Sequence, residues 1–456
     1  MVIHKKIVIL GAGPTGLAAG YELSRSKNQV VIIERNKKVG GLSRTEECNG
    51  NFFDIGGHRF LTKEKRVLDL WKNILKDDFL ERPRLSRIYY NKKFFNYPLK
   101  IKNVLKNLGL LNSFLVIFSF LKAKIKKQKE DNFEAWVTNR FGKRLFKIFF
   151  KSYTEKLWGI GTKELSSDWA RQRIQGLSLF KAIKDALFRK GKEKTLIKKF
   201  YYPKYGSGQM YEKMAEKIKE NQGEILLNSY VQKINYQDNK IKNIVIKNKG
   251  ETREISGDNF ISTLPINKLI LKLSPQPPKE IIKAAQALKF RSFIIVTLTI
   301  DKKDLFPDNW IYIHDRNLKT IRIQNFNNWS PDLVKDKNKT VLGVEYVCWE
   351  NDDFWNKSNK ELINLAKEEL GAINITKKAS QKLGSSWLEE IKAGKVIKAK
   401  DAYPVYTPKF KDDLKVILDY LENFKNLQTV GRSGAFCYNN MDDSILSGLN
   451  SAHNII

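Results

Sequence analysis

The sequence predicts an α/β protein: a parallel sheet of the dinucleotide-binding, Rossmann type, elaborated by an inserted helical region and a mixed-sheet substrate domain. Three observations carry that prediction. The buried-strand pattern Ile7-Val-Ile-Leu10 runs directly into Gly11-Ala-Gly13-Pro14-Thr15-Gly16 and an Ala/Leu-rich helix. A second apolar run, Val30–Ile33, ends at Glu34, at about the 20-residue offset where a carboxylate can bind ribose hydroxyls. From about Ala285 to Lys400 the pattern changes to short alternating runs, notably Phe293–Ile300, Trp310–Ile313, Thr320–Ile323 and Val341–Cys348, which suit the floor of a substrate domain.

Each residue of the opening has a physical task. Gly11 permits a tight turn, Gly13 lets backbone approach a pyrophosphate, and Gly16 lets the helix pack closely on the strand. Pro14 gives up a first-turn donor that has no helical partner, and Thr15 shares that turn, whose N–H groups face an anion. Glu34, with Arg35 beside it, favours an unphosphorylated ribose, as in FAD or NAD. Two further glycine pairs follow: Gly40-Gly41-Leu42-Ser43-Arg44-Thr45, and Gly56-Gly57-His58 within Phe53–Phe60. Either pair alone reads as an ordinary turn, but at both, in this order, backbone could lie against a large ligand, which argues for FAD over NAD.

At 456 residues the chain exceeds a single ordinary core. Residues 1–85, 200–265 and 401–456 are assigned to a discontinuous FAD-binding domain, 86–199 to a helical substrate or cap region, and 266–400 to the substrate-domain sheet. The alternation of strand and helix is read as stopping at residue 85. A Gly-rich turn at Tyr202–Met210 opens a further helix, followed by strands near Ile225, Val231, Ile241 and Asn259. Cys48, Cys348 and Cys437 show no paired spacing and the four histidines no ligand cluster, so the expectation is a metal-free protein of a reducing cytoplasm. Strand is read as beginning by Ile7, so no signal peptide is expected.

The formal charge is +34, from 83 Lys+Arg against 49 Asp+Glu. Such a charge suits nucleic acid, an anionic membrane or a polyanionic substrate, or reflects lysines on solvated faces. No nucleic-acid module interleaves the lysines, so a nucleic-acid partner is not expected. Leu110–Leu121 is mostly apolar and followed by Lys122, Lys124, Lys126 and Lys127. It is too short to span a bilayer, and reads either as a buried helix or as one lying peripherally at the inner face of a membrane. Oligomeric state is not legible.

No nucleophile elbow, triad ordering or carboxylate pair is recognisable, so a cofactor is expected to carry the chemistry. Arg173 lies four residues after Trp169 on one helical face, and Arg322 alternates with Ile321 and Ile323 along a strand. Guanidinium forks in a cleft suit a diphosphate, although an arginine taken singly reads more readily as a surface residue.

The glycine motifs together resemble the FAD-binding fold of the amine oxidase, protoporphyrinogen oxidase and UDP-galactopyranose mutase superfamily, glutathione-reductase-like in its cofactor domain. Lys156-Leu-Trp158-Gly159, Trp169-x-x-x-Arg173, Trp310-Ile-Tyr312, Arg322 with Phe326–Pro331, Ala402–Val405 and Gly431–Ser444 resemble, in order, successive motifs of the mutase branch. That resemblance implies a reduced FAD whose N5 attacks the anomeric carbon of a UDP-sugar, giving pyranose/furanose interconversion in surface-glycan biosynthesis, with NADH or NADPH as external reductant. It implies that Arg173 and Arg322 bind the diphosphate, that Tyr312, Tyr403, Tyr438 and Asn440 line the phosphate and sugar site, and that Gly57 and His58 lie beside the isoalloxazine. Gly41, Leu42, Ser43, Arg432, Asn440 and Ser444 join the cofactor set. Gly41–Thr45 is closer to the oxidase form, and Met441 and Asp443 depart from the Gln and His expected after Asn440. Two alternatives therefore stay open: an oxidoreductase of the amine oxidase, protoporphyrinogen oxidase or phytoene desaturase type, and a catalytically inactive membrane-surface binding protein.

Overall fold

The computed structural model describes residues 4–99, 101–174, 199–373 and 389–456; the side chains of Ile101, Lys102 and Arg173 also fall outside the described set. The protein is α/β. Its parallel sheet has five strands in the spatial order Leu427–Thr429, Asn259–Ser262, Lys6–Leu10, Gln29–Ile33 and Glu224–Leu226. Ile7–Leu10 is wholly buried at its centre, as a continuous apolar run in a parallel sheet requires. Helix Pro14–Arg25 packs on this sheet and on helices Gly208–Glu220 and Met441–His453. The last contact is close: a Cβ added at Gly448 would sit 2.2 Å from the Thr15 carbonyl oxygen.

A seven-stranded mixed sheet has the order Ile391–Pro404, Phe290–Ile300, Thr340–Cys348, Arg322–Asn325, Trp310–Ile313, Ser86–Tyr90 and Lys93–Asn96. Neighbours are antiparallel except Trp310–Ile313 with Ser86–Tyr90. It departs from the sequence reading in three places. The alternation does not stop at residue 85: Ser86–Asn96 is a hairpin turning at Asn91 and Lys92, both at positive φ (47° and 57°), the turn twist that matches paired strands. Ile391–Pro404 is one 14-residue strand, so the expected division at residue 400 falls inside it. The strand expected over Thr320–Ile323 lies at Arg322–Asn325, because the Glu369 carboxylate accepts the backbone N–H groups of Lys319 and Thr320 and withdraws them from the ladder.

A third sheet, the meander Ser229–Gln237, Lys240–Asn248 and Glu251–Ser256, gains Leu273–Ser274 in parallel on its first strand. The helical region comprises Ile101–Leu108, Leu110–Ile125, Phe133–Leu145, Ser152–Trp158 and Ser167–Arg173, with Phe146–Lys151 wound as a π-helical turn. Gly142, at φ +80°, lets helix Leu110–Ile125 cross it; a Cβ there would meet the Phe120 nitrogen at 2.7 Å. Lys156 ties this region to the seven-stranded sheet. Its Nζ reaches the carbonyls of Ile313, Asp315, Leu318 and Thr320 at 2.6, 3.0, 3.2 and 2.9 Å, and burial pulls its pKa down to about 8. Among the described residues no helix is long and apolar enough to cross a membrane.

Candidate active site

A cavity of about 1600 Å³ runs between the parallel sheet, the seven-stranded sheet and the helical region. At one end the opening motif forms its wall. Gly11 donates to the Ile33 carbonyl at 2.8 Å and Gly40 to that of Ala12 at 2.7 Å, which clamps the turn to the second strand. Gly11 has φ +105°, and a Cβ there would fall 2.2 Å from the Thr263 hydroxyl. Gly13 is open: the nearest atom to an added Cβ is the Gly41 Cα, at 3.9 Å. Gly16 does not line the cavity; a Cβ on it would lie 1.9 Å from the Gly11 carbonyl oxygen, so it serves helix–strand contact alone.

Glu34 is buried at the strand end, where its two oxygens accept the N–H groups of Ala12 (2.9 Å) and Asn36 (2.8 Å). It thus shapes the turn while facing the cavity. Arg35 points toward Asp401 at 3.8 Å, a carboxylate that also holds Lys268 at 2.6 Å. Pro14, Thr15, Gly41, Leu42, Ser43, Asn440 and Ser444 line the same end. Asn440 caps helix Met441–His453 in a reciprocal box with Asp443, whose carboxylate accepts the Asn440 N–H at 3.0 Å. The acid at 443, which departs from the mutase motif, is accounted for by that cap.

Arg432 supplies the test of whether a cofactor fits. Its guanidinium lies over Tyr438 (4.4 Å) and Tyr403 (5.0 Å), and one Nη donates to the Asn439 carbonyl at 3.2 Å. Its Nε and other Nη are buried without a partner. A buried orphan donor costs about 1–3 kcal/mol, so these two demand an acceptor from a ligand. The open backbone at Gly13 and the donors of Arg432, on one cavity, fit a bound dinucleotide.

Gly57 and His58 sit on the loop after strand Asn51–Asp54. The His58 Nε2 bonds the Ile55 carbonyl at 3.0 Å, and burial, only partly opposed by Asp54, holds the ring pKa below its ordinary value. Asp54 accepts from the Thr45 and Tyr202 hydroxyls, both at 2.6 Å, and from the Ser207 N–H at 3.1 Å. The tie to Ile55 makes the His58 ring part of the structure of this loop.

Beyond the glycine loops lies a polar chamber. Arg322 stands on its strand with Nε 2.7 Å from Glu345, whose carboxylate is fully buried and also accepts from Gln324 at 2.6 Å. Burial works against the Arg322 charge, but Glu345 and the neighbouring tyrosines outweigh it and hold the group above its ordinary pKa. Tyr312 and Tyr403 flank it, and Tyr438 stacks on Tyr403 at 5.8 Å. Helix Ser167–Arg173 brings Trp169 to the wall; the Arg173 side chain lies outside the described residues. Sequence reasoning missed Arg59, Arg84 and Tyr153, which also line the chamber. Arg84 lies 5.5 Å over both Tyr97 and Trp310, and Tyr153 stacks on His314 at 4.6 Å. Arg59 directly follows the His58 motif and could have been read with it; Arg84 and Tyr153 belong to segments with no local signature.

The cavity then continues into an apolar arm walled by Val104, Leu108, Val116, Phe141, Leu145 and Phe149.

A family model described as flavin containing amine oxidoreductase matches residues 14–456. The chain belongs to that family, and its cofactor is FAD. Among solved structures, a reduced UDP-galactopyranose mutase superposes with a TM-score of 0.84 at 21% identity, covering 100% of this chain and 94% of that one. A putrescine oxidase with putrescine bound gives 0.62 at 16% identity over 99% of each chain. An L-amino-acid oxidase of Sistrurus catenatus edwardsii is 28% identical over 153 residues, 30% of this chain and 30% of its own length. The match thus spans under a third of that curated relative.

Proposed function

We propose that this flavoenzyme acts on a nucleotide sugar, interconverting its pyranose and furanose forms on reduced FAD. The likeness of its fold to that of a reduced UDP-galactopyranose mutase supports this reading. The observation that carries it is the polar chamber. A guanidinium fixed by a buried carboxylate presents its remaining donors among Tyr153, Tyr312 and Tyr403, the cationic, hydroxyl-bearing wall that a diphosphate and a sugar require. FAD, held by the Gly11–Gly16 turn, Glu34 and Arg432, supplies an electron-rich centre when reduced. The protein's part is to anchor UDP through Arg322, orient the sugar against the tyrosines, and exclude water at the Gly57-His58 loop. His58, tied to Ile55, shapes that loop.

Protein reduced with dithionite should interconvert UDP-galactopyranose and UDP-galactofuranose, and oxidised protein should not. A second reading, net oxidation of an amine or apolar substrate, is favoured by the apolar arm. Rapid oxygen or quinone consumption with such a substrate, unaffected by UDP, would establish it and reject the first.

A further inference from the structure

Helix Leu110–Ile125 carries eight of the eighteen exposed large hydrophobic side chains among the described residues, led by Leu110 (93% exposed), Ile125 (88%) and Leu111 (74%). Phe114, Phe118 and Leu121 continue the same surface. Only a narrow stripe of this helix, Ser113, Val116, Phe120 and Ala123, is buried. A soluble protein rarely leaves so continuous an apolar patch to water.

The charge around it is one-sided. Residues 82–129 contain thirteen Lys or Arg and no Asp or Glu; Arg87 and Lys129 pair with Asp308 and Asp131 outside that stretch, whereas Lys122 and Lys124 in the last turn of the helix, and Lys126 and Lys127 just beyond, form no ion pair among the described residues. Apolar side chains flanked by cations, on a helix too short to span, are the arrangement of an interfacial helix beside anionic headgroups. A second copy of this chain would have to set one uncompensated cationic rim against another.

The cavity opens toward the same place. Val104, Leu105, Val116 and Ile117 line its apolar arm, while Leu105 and Ile117 are themselves 42% and 48% exposed. We propose that the helix pair Ile101–Ile125 seats in the headgroup–acyl boundary of an anionic lipid bilayer, with the apolar arm opening against that surface. The inference stands apart from the reaction proposed above.

Flotation of the FAD-loaded protein with vesicles tests it. The protein should float with phosphatidylcholine vesicles containing phosphatidylglycerol, much less with phosphatidylcholine alone, and less as salt is raised. Phe114→Glu with Phe118→Glu should reduce the floated fraction by about tenfold, as should charge reversal of Lys122, Lys124, Lys126 and Lys127. The flavin spectrum reports that the variants remain folded, and because every altered side chain projects from the surface it should not change. Wild-type protein that stays with the soluble fraction, or floats as well with both phenylalanines replaced, overturns the proposal. So does a wild-type dimer that fails to float and that the phenylalanine pair dissociates in sedimentation; that result assigns the face to a second copy.

Discussion

The polar chamber and the apolar arm share one cavity but are built by opposite means. The chamber's central charge is set on a strand, where its direction is fixed by ladders to two neighbours: Arg322 pairs across to Tyr312 on one side and Glu345 on the other. The arm is set between helices whose contacts are apolar and non-directional. The difference teaches where chemistry and where accommodation reside. A group on the sheet must hold one position against a buried counter-charge, whereas a group on the helices need only fill volume.

Gly11→Val should break the comparison most severely, by removing the cofactor end alone. The Thr263 hydroxyl and the positive φ leave no room for a side chain, so FAD affinity should fall more than about 100-fold, read as flavin absorbance retained after desalting, while far-UV dichroism keeps its helical signal.

Arg322→Met should cost about 3–5 kcal/mol of stability in chemical denaturation, since it leaves Glu345 charged and fully buried. Adding Glu345→Gln should recover most of that loss. UDP affinity should not return with it: calorimetry on the double variant should still show a deficit of about 2 kcal/mol, the worth of a charge-assisted hydrogen bond. Recovery of UDP binding along with stability would reduce Arg322 to a structural role.

His314 lies at the junction of the two regions, its carbonyl accepting from the Ser152 hydroxyl at 2.8 Å and its ring on Tyr153. Burial, with Lys156 nearby, lowers its pKa to about 3, against 6.5 for the unperturbed group. Between those values the unfolded chain binds a proton that the folded chain refuses, so stability falls as the solution is acidified below about pH 6.5. The loss should reach about 2 kcal/mol by pH 5, and His314→Phe should flatten that part of the stability–pH curve. Val116→Ala, in the arm, should have the smallest effect: about 1 kcal/mol of stability with UDP affinity unchanged.

The cofactor end is legible in the sequence because its constraints are local. The Gly11–Gly16 turn, Glu34 and the Gly56-Gly57-His58 loop each act within a few residues of where they are read, and Arg322 can be aimed from strand alternation with Ile323, which is fully buried on the opposite side. Asn440-x-x-Asp443 is equally legible as a helix start, yet family resemblance alone treats its acid as a departure. The hairpin Ser86–Asn96 is hidden in a long stretch of Lys and aromatic residues, although Asn91-Lys92 between Ile88 and Phe95 is its local signal. Pairing at a distance leaves no such mark. Nothing near Lys156 announces that it will reach carbonyls about 160 residues away, and nothing near Arg84 places it over Trp310.

The parallel sheet also has a consequence in time. Its central strand Lys6–Leu10 is made first, and its edge strand Leu427–Thr429 and the Arg432 donors that face the same cavity come more than 400 residues later. Contacts that close so long a loop form late and slowly. On the ribosome, the first two strands and their glycine turn therefore emerge with an exposed apolar edge, and the pocket stays incomplete until the segment carrying Leu427–Thr429 and Arg432 has followed. Supply of FAD during expression should accordingly govern how much chain escapes aggregation, more than it alters the rate at which the early segments fold.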